Sequence, residues 1–135
     1  MNQDELKRMA IVDANINRVS EGMRVVEDWA RFYMRHEGMT DRMRQMRHGL
    51  WKAVASSYPE IIKGRDTGED ILAESGESGR DNASDIPRAS FNRVKEGLRV
   101  LEEMSKLISA ESGSVFKRMR FNIYEIERDF YEKGD

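Results

Sequence analysis

The segment ANINRVSEGMRVVED, Ala14 to Asp28, returns 75 positions later as ASFNRVKEGLRVLEE, Ala89 to Glu103. An amphipathic helix repeats its apolar spacing whatever its function, so a recurring hydrophobic stripe alone would carry little information. Here the polar letters recur as well: Asn17, Arg18, Glu21, Arg24 and Glu27 reappear as Asn92, Arg93, Glu96, Arg99 and Glu102. Surface charges on a helix exchange at little cost, so packing gives no reason to keep their identity. A second match extends the unit, because Met46-Arg47 followed by Leu50-Trp51 reappears 73 positions on as Met119-Arg120 followed by Ile123-Tyr124. The chain therefore contains one helical hairpin twice.

Periodicity predicts four long helices. The first runs from about Asp4 to about Arg35, with Ile16, Val19, Met23, Val26, Ala30 and Tyr33 on its stripe and Gly38 as its stop. The second begins near Thr40 as N-cap and continues towards Tyr58, where Pro59 ends it. The third follows Asp85, with Pro87 in its first turn, and the fourth opens near Ser112 to Ser114. The expected fold is all-α: one domain over 1–135, a four-helix bundle of two hairpins (about 4–58 and 87–133) related by a pseudo-two-fold axis. Gly22 and Gly97, at matched mid-helix positions, each cost about 1 kcal/mol against Ala. A close helix crossing, or room for a ligand against the backbone, would explain them. Trp29 and Trp51 look like anchors of the core between the hairpins. The stretch 64–86 is rich in Gly, Ser, Asp and Glu and has no periodicity, so it reads as a lid or a tether.

The balance of charges limits partners. The 23 basic and 25 acidic residues give a net charge of −2, against a nucleic-acid partner. No apolar run approaches the ~20 residues of a membrane span, and the polar N-terminus lacks a signal-peptide core. The expected location is the cytoplasm. Without cysteine there is no disulfide, thiolate metal site or cysteine nucleophile. No P-loop, GxGxxG or HExxH motif occurs.

At 100° per residue, Asn17, Glu21, Arg24 and Asp28 share one side of the first helix, with Arg18 and Val25 on its flank. The matching set is Asn92, Glu96, Arg99 and Glu103, with Arg93 and Val100. One reading is two solvated helices laced by ordinary salt bridges. The other is an anion site: if the helices face each other, four arginines and several carboxylates converge, and Arg forks hold phosphate or carboxylate bidentately. Arg47-His48 could supply a phosphate contact and a titratable group, although His48 aligns with Phe121 and its position could be a packed one. His36 reads as a helix cap. Arg65-Asp66-Thr67, after Gly64, has the makings of a phosphate-facing loop with a metal carboxylate.

The wording of the repeats goes further. Asp13 through Arg18 and Glu21 through Asp28 resemble the opening signature of the small helical hydroxymethylpyrimidine phosphate kinase family, a domain fused in front of thiamine-phosphate synthase in some bacteria. Met46-Arg47-His48, Arg65-Asp66-Thr67, Asn92-Arg93-Val94, Glu96 through Glu103, and Arg120 with Tyr124 follow in the family's order, whereas Asp70 to Arg80 departs from its pattern. The resemblance implies an ATP-dependent phosphotransferase that converts 4-amino-5-hydroxymethyl-2-methylpyrimidine phosphate to the diphosphate in thiamine biosynthesis, using ATP and Mg²⁺. It implies Arg24, Arg99, Glu21, Glu96 and Asp66 as catalytic residues. Asn17, Arg18, Arg47, His48, Arg65, Asn92, Arg93 and Arg120 would bind substrate or phosphate, and the metal ligands stay unassigned. No synthase domain is visible in the sequence, so the implied form is free-standing, with a functional link to thiamine-phosphate synthase; a homodimer is compatible with it. Two rivals remain open at this point: a chorismate-mutase-like helical enzyme holding a dicarboxylate without metal or nucleotide, and a non-catalytic helical module associated with a thiamine-phosphate synthase.

Overall fold

Val19 and Val94 occupy the same position in the two copies of the repeat, and they lie where the copies cross. In the computed structural model, which describes residues 1–133, the copies sit on helices α1 (Gln3–Asp28) and α4 (Asp85–Ser105). A Cβ built on Gly22 would come within 2.8 Å of Val94 Cγ2 and 3.0 Å of the Ser90 carbonyl oxygen. One built on Gly97 would come within 2.6 Å of Val19 Cγ2 and 3.5 Å of the Asn15 carbonyl oxygen. Val94 and Ser90 are the repeat equivalents of Val19 and Asn15, so the two helices exchange the same contact. The late half of α1 meets the early half of α4 and the reverse, which makes the pair antiparallel. The matched glycines are thus explained by a close helix crossing, and Gly97 also borders an open groove between the two helices.

Around this central pair, α2 (Glu37–Val54) packs on α1 and α5 (Ala110–Lys133) on α4, while α2 and α5 touch lightly. Ile16, Met23, Met43, Leu50, Phe91, Leu98 and Ile123 are fully enclosed between the four. Burying each such side chain contributes roughly 1.5–3 kcal/mol before entropy is counted. The fold is all-α, with no strand among the described residues. Among the described residues no helix is long and apolar enough to cross a membrane.

The helix ends depart from the sequence reading in instructive ways. α1 widens into a π-helical turn over Trp29–Met34, and the stop is Arg35, left-handed at φ 54°, not Gly38. The His36 N–H then closes back on the Ala30 carbonyl, one residue further than a Schellman ending reaches, as the wider π-turn before it dictates. His36 is the N-cap of α2, its Nδ1 accepting from the Met39 N–H at 3.0 Å. Thr40, expected as the cap, lies in the first turns with its hydroxyl donating to the His36 carbonyl. Pro59 does not end α2, which has stopped at Val54; it opens a separate turn, α3 (Tyr58–Ile61), where its missing N–H costs nothing. α4 begins at Asp85 with Pro87 in its first turn, and α5 starts at Ala110, a few residues earlier than expected. Trp51 and Trp29 pack partly buried against the core, and the Trp51 indole N–H donates to Ser20 Oγ, tying α2 to α1. Trp29 stacks on Tyr33 within the same hairpin.

Between the hairpins the chain makes short 3₁₀ turns at Ile62–Gly64 and Thr67–Glu69 and is otherwise irregular up to α4. Its first part is pinned. A Cβ on Gly64 would meet the Leu6 carbonyl oxygen at 2.5 Å and the Ala10 nitrogen at 2.6 Å, so only glycine lets the backbone lie on α1 there. Its second part is exposed throughout, with Ile71 at 95%.

Candidate functional site

Two buried carboxylates at the repeat offset decide which of the repeated arginines are structural. Glu27 on α1 and Glu102 on α4 are each only 3% exposed. Glu27 accepts from Arg47 Nε at 3.1 Å and Nη2 at 3.4 Å. Glu102 accepts from Arg120 Nε at 2.9 Å and from Arg99 Nη1 at 3.3 Å. Each pair clamps the two helices of one hairpin together. Burial pushes the Glu102 carboxyl upward, but the Arg120 hydrogen bond and the charges of Arg120 and Arg99 outweigh it, holding the group below the usual carboxylate range. Arg47 and Arg120 therefore have their forks turned onto buried acids. His48, the neighbour of Arg47, is exposed, and so is Phe121 at the equivalent position, so neither is a packed residue.

Arg65 is occupied in a similar way. Its Nε and Nη2 donate to the two oxygens of buried Asp13 at 2.8 and 2.7 Å, and Nη2 also reaches the Tyr58 hydroxyl at 2.9 Å. These bonds raise the guanidinium pKa further. Asn17 donates to Asp13 Oδ1 and to the same hydroxyl. Arg65 and Asn17 thus belong to a polar knot that straps the 58–65 segment onto α1. Asp66, next along, is exposed and lies outside this knot.

Among the described residues the second copy has no such strap. Asn92, the equivalent of Asn17, faces an open groove of about 390 Å³ between α1 and α4. Arg18 and Arg93, also equivalents, line this groove together with Asn15, Glu96 and Arg80. The duplicated polar set has diverged: one copy is closed by its own chain and the other is open. Arg18 is exposed and, among the described residues, bonds only to Asn15 Oδ1 at 3.3 Å. Arg93 leans on Glu77 at 3.6 Å, and Glu96 makes no ion pair among the described residues. An adjoining hollow of about 280 Å³ shares Arg80, Arg93 and Ala89 and adds the aliphatic surfaces of Val25 and Ile86.

The arginines therefore split. Arg18 and Arg93 converge on the groove. Arg24 and Arg99 do not line it; they pair along their own helices, Arg24 with Asp28 at 3.2 Å and Arg99 with Glu102 and Glu103 at 3.3 Å. Glu21 is exposed on α1 and also outside the groove's lining. Among the described residues no three His, Asp or Glu side chains gather to hold a metal. That is no obstacle to Mg²⁺ carried on polyphosphate oxygens, which needs one or two carboxylates and keeps several waters. Glu96, with Glu77 at the neighbouring hollow, fits that requirement.

Sequence reasoning named Arg18, Asn92, Arg93 and Glu96 for the site, and it noted that Glu27 and Glu102 recur without reading them as the acids of the clamps. It also missed Asp13, Tyr58 and Arg80. Arg80 lies in a stretch without periodicity, where no pattern signals which side chain turns inward.

The fold and the groove define an all-helical protein with an arginine-lined surface suited to an anionic ligand. The chain belongs to the ThiD2 family, which matches residues 10–129. It is similar to a thiamine-phosphate synthase of Synechocystis sp., 35% identical over 120 residues that cover 87% of this chain and 34% of the relative. The thiamine-phosphate synthase of Nostoc punctiforme is 36% identical over 120 residues, 87% of this chain and 33% of the relative. That of Prochlorococcus marinus is 32% identical over 126 residues, 93% and 36% respectively. The chain spans about a third of the length of these curated relatives. No solved structure matches it. The relatives link the family to thiamine biosynthesis.

Proposed function

We propose that the chain is a hydroxymethylpyrimidine phosphate kinase, transferring the γ-phosphoryl group of ATP to 4-amino-5-hydroxymethyl-2-methylpyrimidine phosphate. The observation that carries this reading is the meeting of Arg18 and Arg93, one from each copy of the repeat, in a single groove with Arg80. Donor and acceptor are both polyanions, and phosphoryl transfer asks the protein for positioning and for cations around the moving group. An oxygen of the acceptor phosphate forms a bond to the γ-phosphorus, while the bond from that phosphorus to the β–γ bridging oxygen breaks and ADP leaves. Arg18 and Arg93 hold the phosphates on either side of the transfer, and Asn92 orients an acceptor oxygen. Glu96 would be the protein carboxylate for a Mg²⁺ carried in with ATP, which would supply charge neutralisation for the phosphates. The adjoining hollow, walled by Val25 and Ile86, receives a heterocyclic ring.

Coupled ADP release measured with and without the pyrimidine phosphate tests the proposal. Release that depends on the acceptor supports it; no dependence at high enzyme concentration removes it. A second reading draws on the relatives' names: a helical module that serves a thiamine-phosphate synthase without chemistry of its own. It expects no acceptor-dependent turnover and no affinity for ATP or the pyrimidine phosphate.

A further inference from the structure

The 70–84 segment contributes one side chain to the groove that has no counterpart in the repeat. Arg80 borders both the larger groove and the adjoining hollow, standing with Arg93 at their shared boundary. Its guanidinium has no acidic partner among the described residues. Nη1 donates to the carbonyl oxygens of Ser78 and Gly79 at 2.8 and 3.5 Å, inside its own turn, which fixes the direction of the fork and leaves its other N–H groups unused. The same turn carries Glu77, which pairs with Arg93 at 3.6 Å and so holds the segment against α4. Three arginines here face two glutamates, a local excess of positive charge in a chain whose net charge is −2.

We infer that Arg80 is the third arginine of the anion site, and that it binds a ligand phosphate jointly with Arg18 and Arg93. This rests on the reading of the groove as a phosphate site and adds a residue from outside both repeats. A guanidinium fork matches two phosphate oxygens at once, which a lysine ammonium cannot do. When phosphate arrives, it competes with Glu77 for Arg93, so binding exchanges the Glu77–Arg93 pair for a phosphate bridge between Arg93 and Arg80.

Isothermal titration with sodium pyrophosphate at fixed ionic strength tests this on the full chain. Arg80→Ala should weaken pyrophosphate at least about tenfold, and Arg80→Lys should recover only part of the loss. Arg128→Ala, a surface charge that pairs only with Asp129, controls for net charge and should bind as the parent does. Circular dichroism melts confirm that each variant is folded, as expected for a side chain bonded only within its own turn. If Arg80→Ala matches the parent while Arg93→Ala is weakened, the groove reading stands and the role of Arg80 is overturned. If Arg80→Ala and Arg128→Ala weaken binding alike, the effect is bulk charge and the assignment also fails. If the parent binds no pyrophosphate, both the groove reading and the role of Arg80 are wrong.

Discussion

Replacing Gly22 by Ala measures the helix crossing on which the fold depends. In an isolated helix the change would stabilise by about 1 kcal/mol, the propensity difference between Gly and Ala. In this fold the new methyl would sit 2.8 Å from Val94 Cγ2 and 3.0 Å from the Ser90 carbonyl oxygen. Neither neighbour yields cheaply, since Val in a helix has one strongly preferred rotamer and the oxygen is backbone. The helices must separate, and such overpacking costs about 1–3 kcal/mol. Gly49→Ala supplies the reference: it lies inside α2 and its Cβ would meet nothing within 4 Å. Both variants carry the same propensity gain, so the gap between them isolates the packing cost. At about 3–5 °C per kcal/mol for a chain this size, Gly49→Ala should melt a few degrees above the parent. Gly22→Ala should fall below Gly49→Ala by about 3–15 °C, and Gly97→Ala, facing Val19 Cγ2 at 2.6 Å, should fall with it. Differential scanning calorimetry reads all three. Equal melting temperatures for Gly22→Ala and Gly49→Ala would refute the close crossing.

Three further outcomes follow from the same geometry. Glu102 is held below the usual carboxylate range, so its contribution is present in full above the unfolded value of about 4.3 and disappears as pH falls through the lower folded value. Urea melts should therefore show Glu102→Gln less stable than the parent at pH 7, with the difference narrowing below about pH 4.3; a difference constant with pH would contradict the clamp. Arg18→Ala and Arg93→Ala should lower kcat/KM on the order of a hundredfold or more if these side chains meet transition-state charge, and Arg24→Ala and Arg99→Ala should lower it less; the reverse order would move the site to the helix flanks. Proteolytic cleavage between Gly64 and Asp85 should slow when ATP, Mg²⁺ and the pyrimidine phosphate are all present, whereas an unchanged rate would make the segment a tether.

Helix content and pairing were legible in the sequence because both rest on the repeat. The offset at which Asn17 and Asn92, or Gly22 and Gly97, recur depends only on chain position, and the structure converts it into a reciprocal contact. The helix ends were less legible. Glycine is the easiest residue on which to end a helix, which points to Gly38 as the stop, yet the π-turn at Trp29–Met34 is followed by a left-handed Arg35 that ends the helix there. The site was half legible for a related reason. Periodicity identifies which residues share a face, but not which of two equivalent faces the rest of the chain covers. Asn17 and Asn92 look alike in sequence; Tyr58 and Arg65 close over the first, and among the described residues nothing equivalent closes over the second. Arg47 and Arg120 carried the same ambiguity, because an arginine bound to a buried glutamate and one awaiting a phosphate have the same letter.

Phosphorus NMR of one reaction mixture tests the proposed chemistry most directly. With the protein, ATP, Mg²⁺ and 4-amino-5-hydroxymethyl-2-methylpyrimidine phosphate together, the single phosphate resonance of the acceptor should give way to the two coupled resonances of a diphosphate as the ATP γ-resonance disappears and ADP accumulates. A spectrum in which the acceptor resonance persists, with ATP intact or lost only to inorganic phosphate, would contradict the kinase assignment.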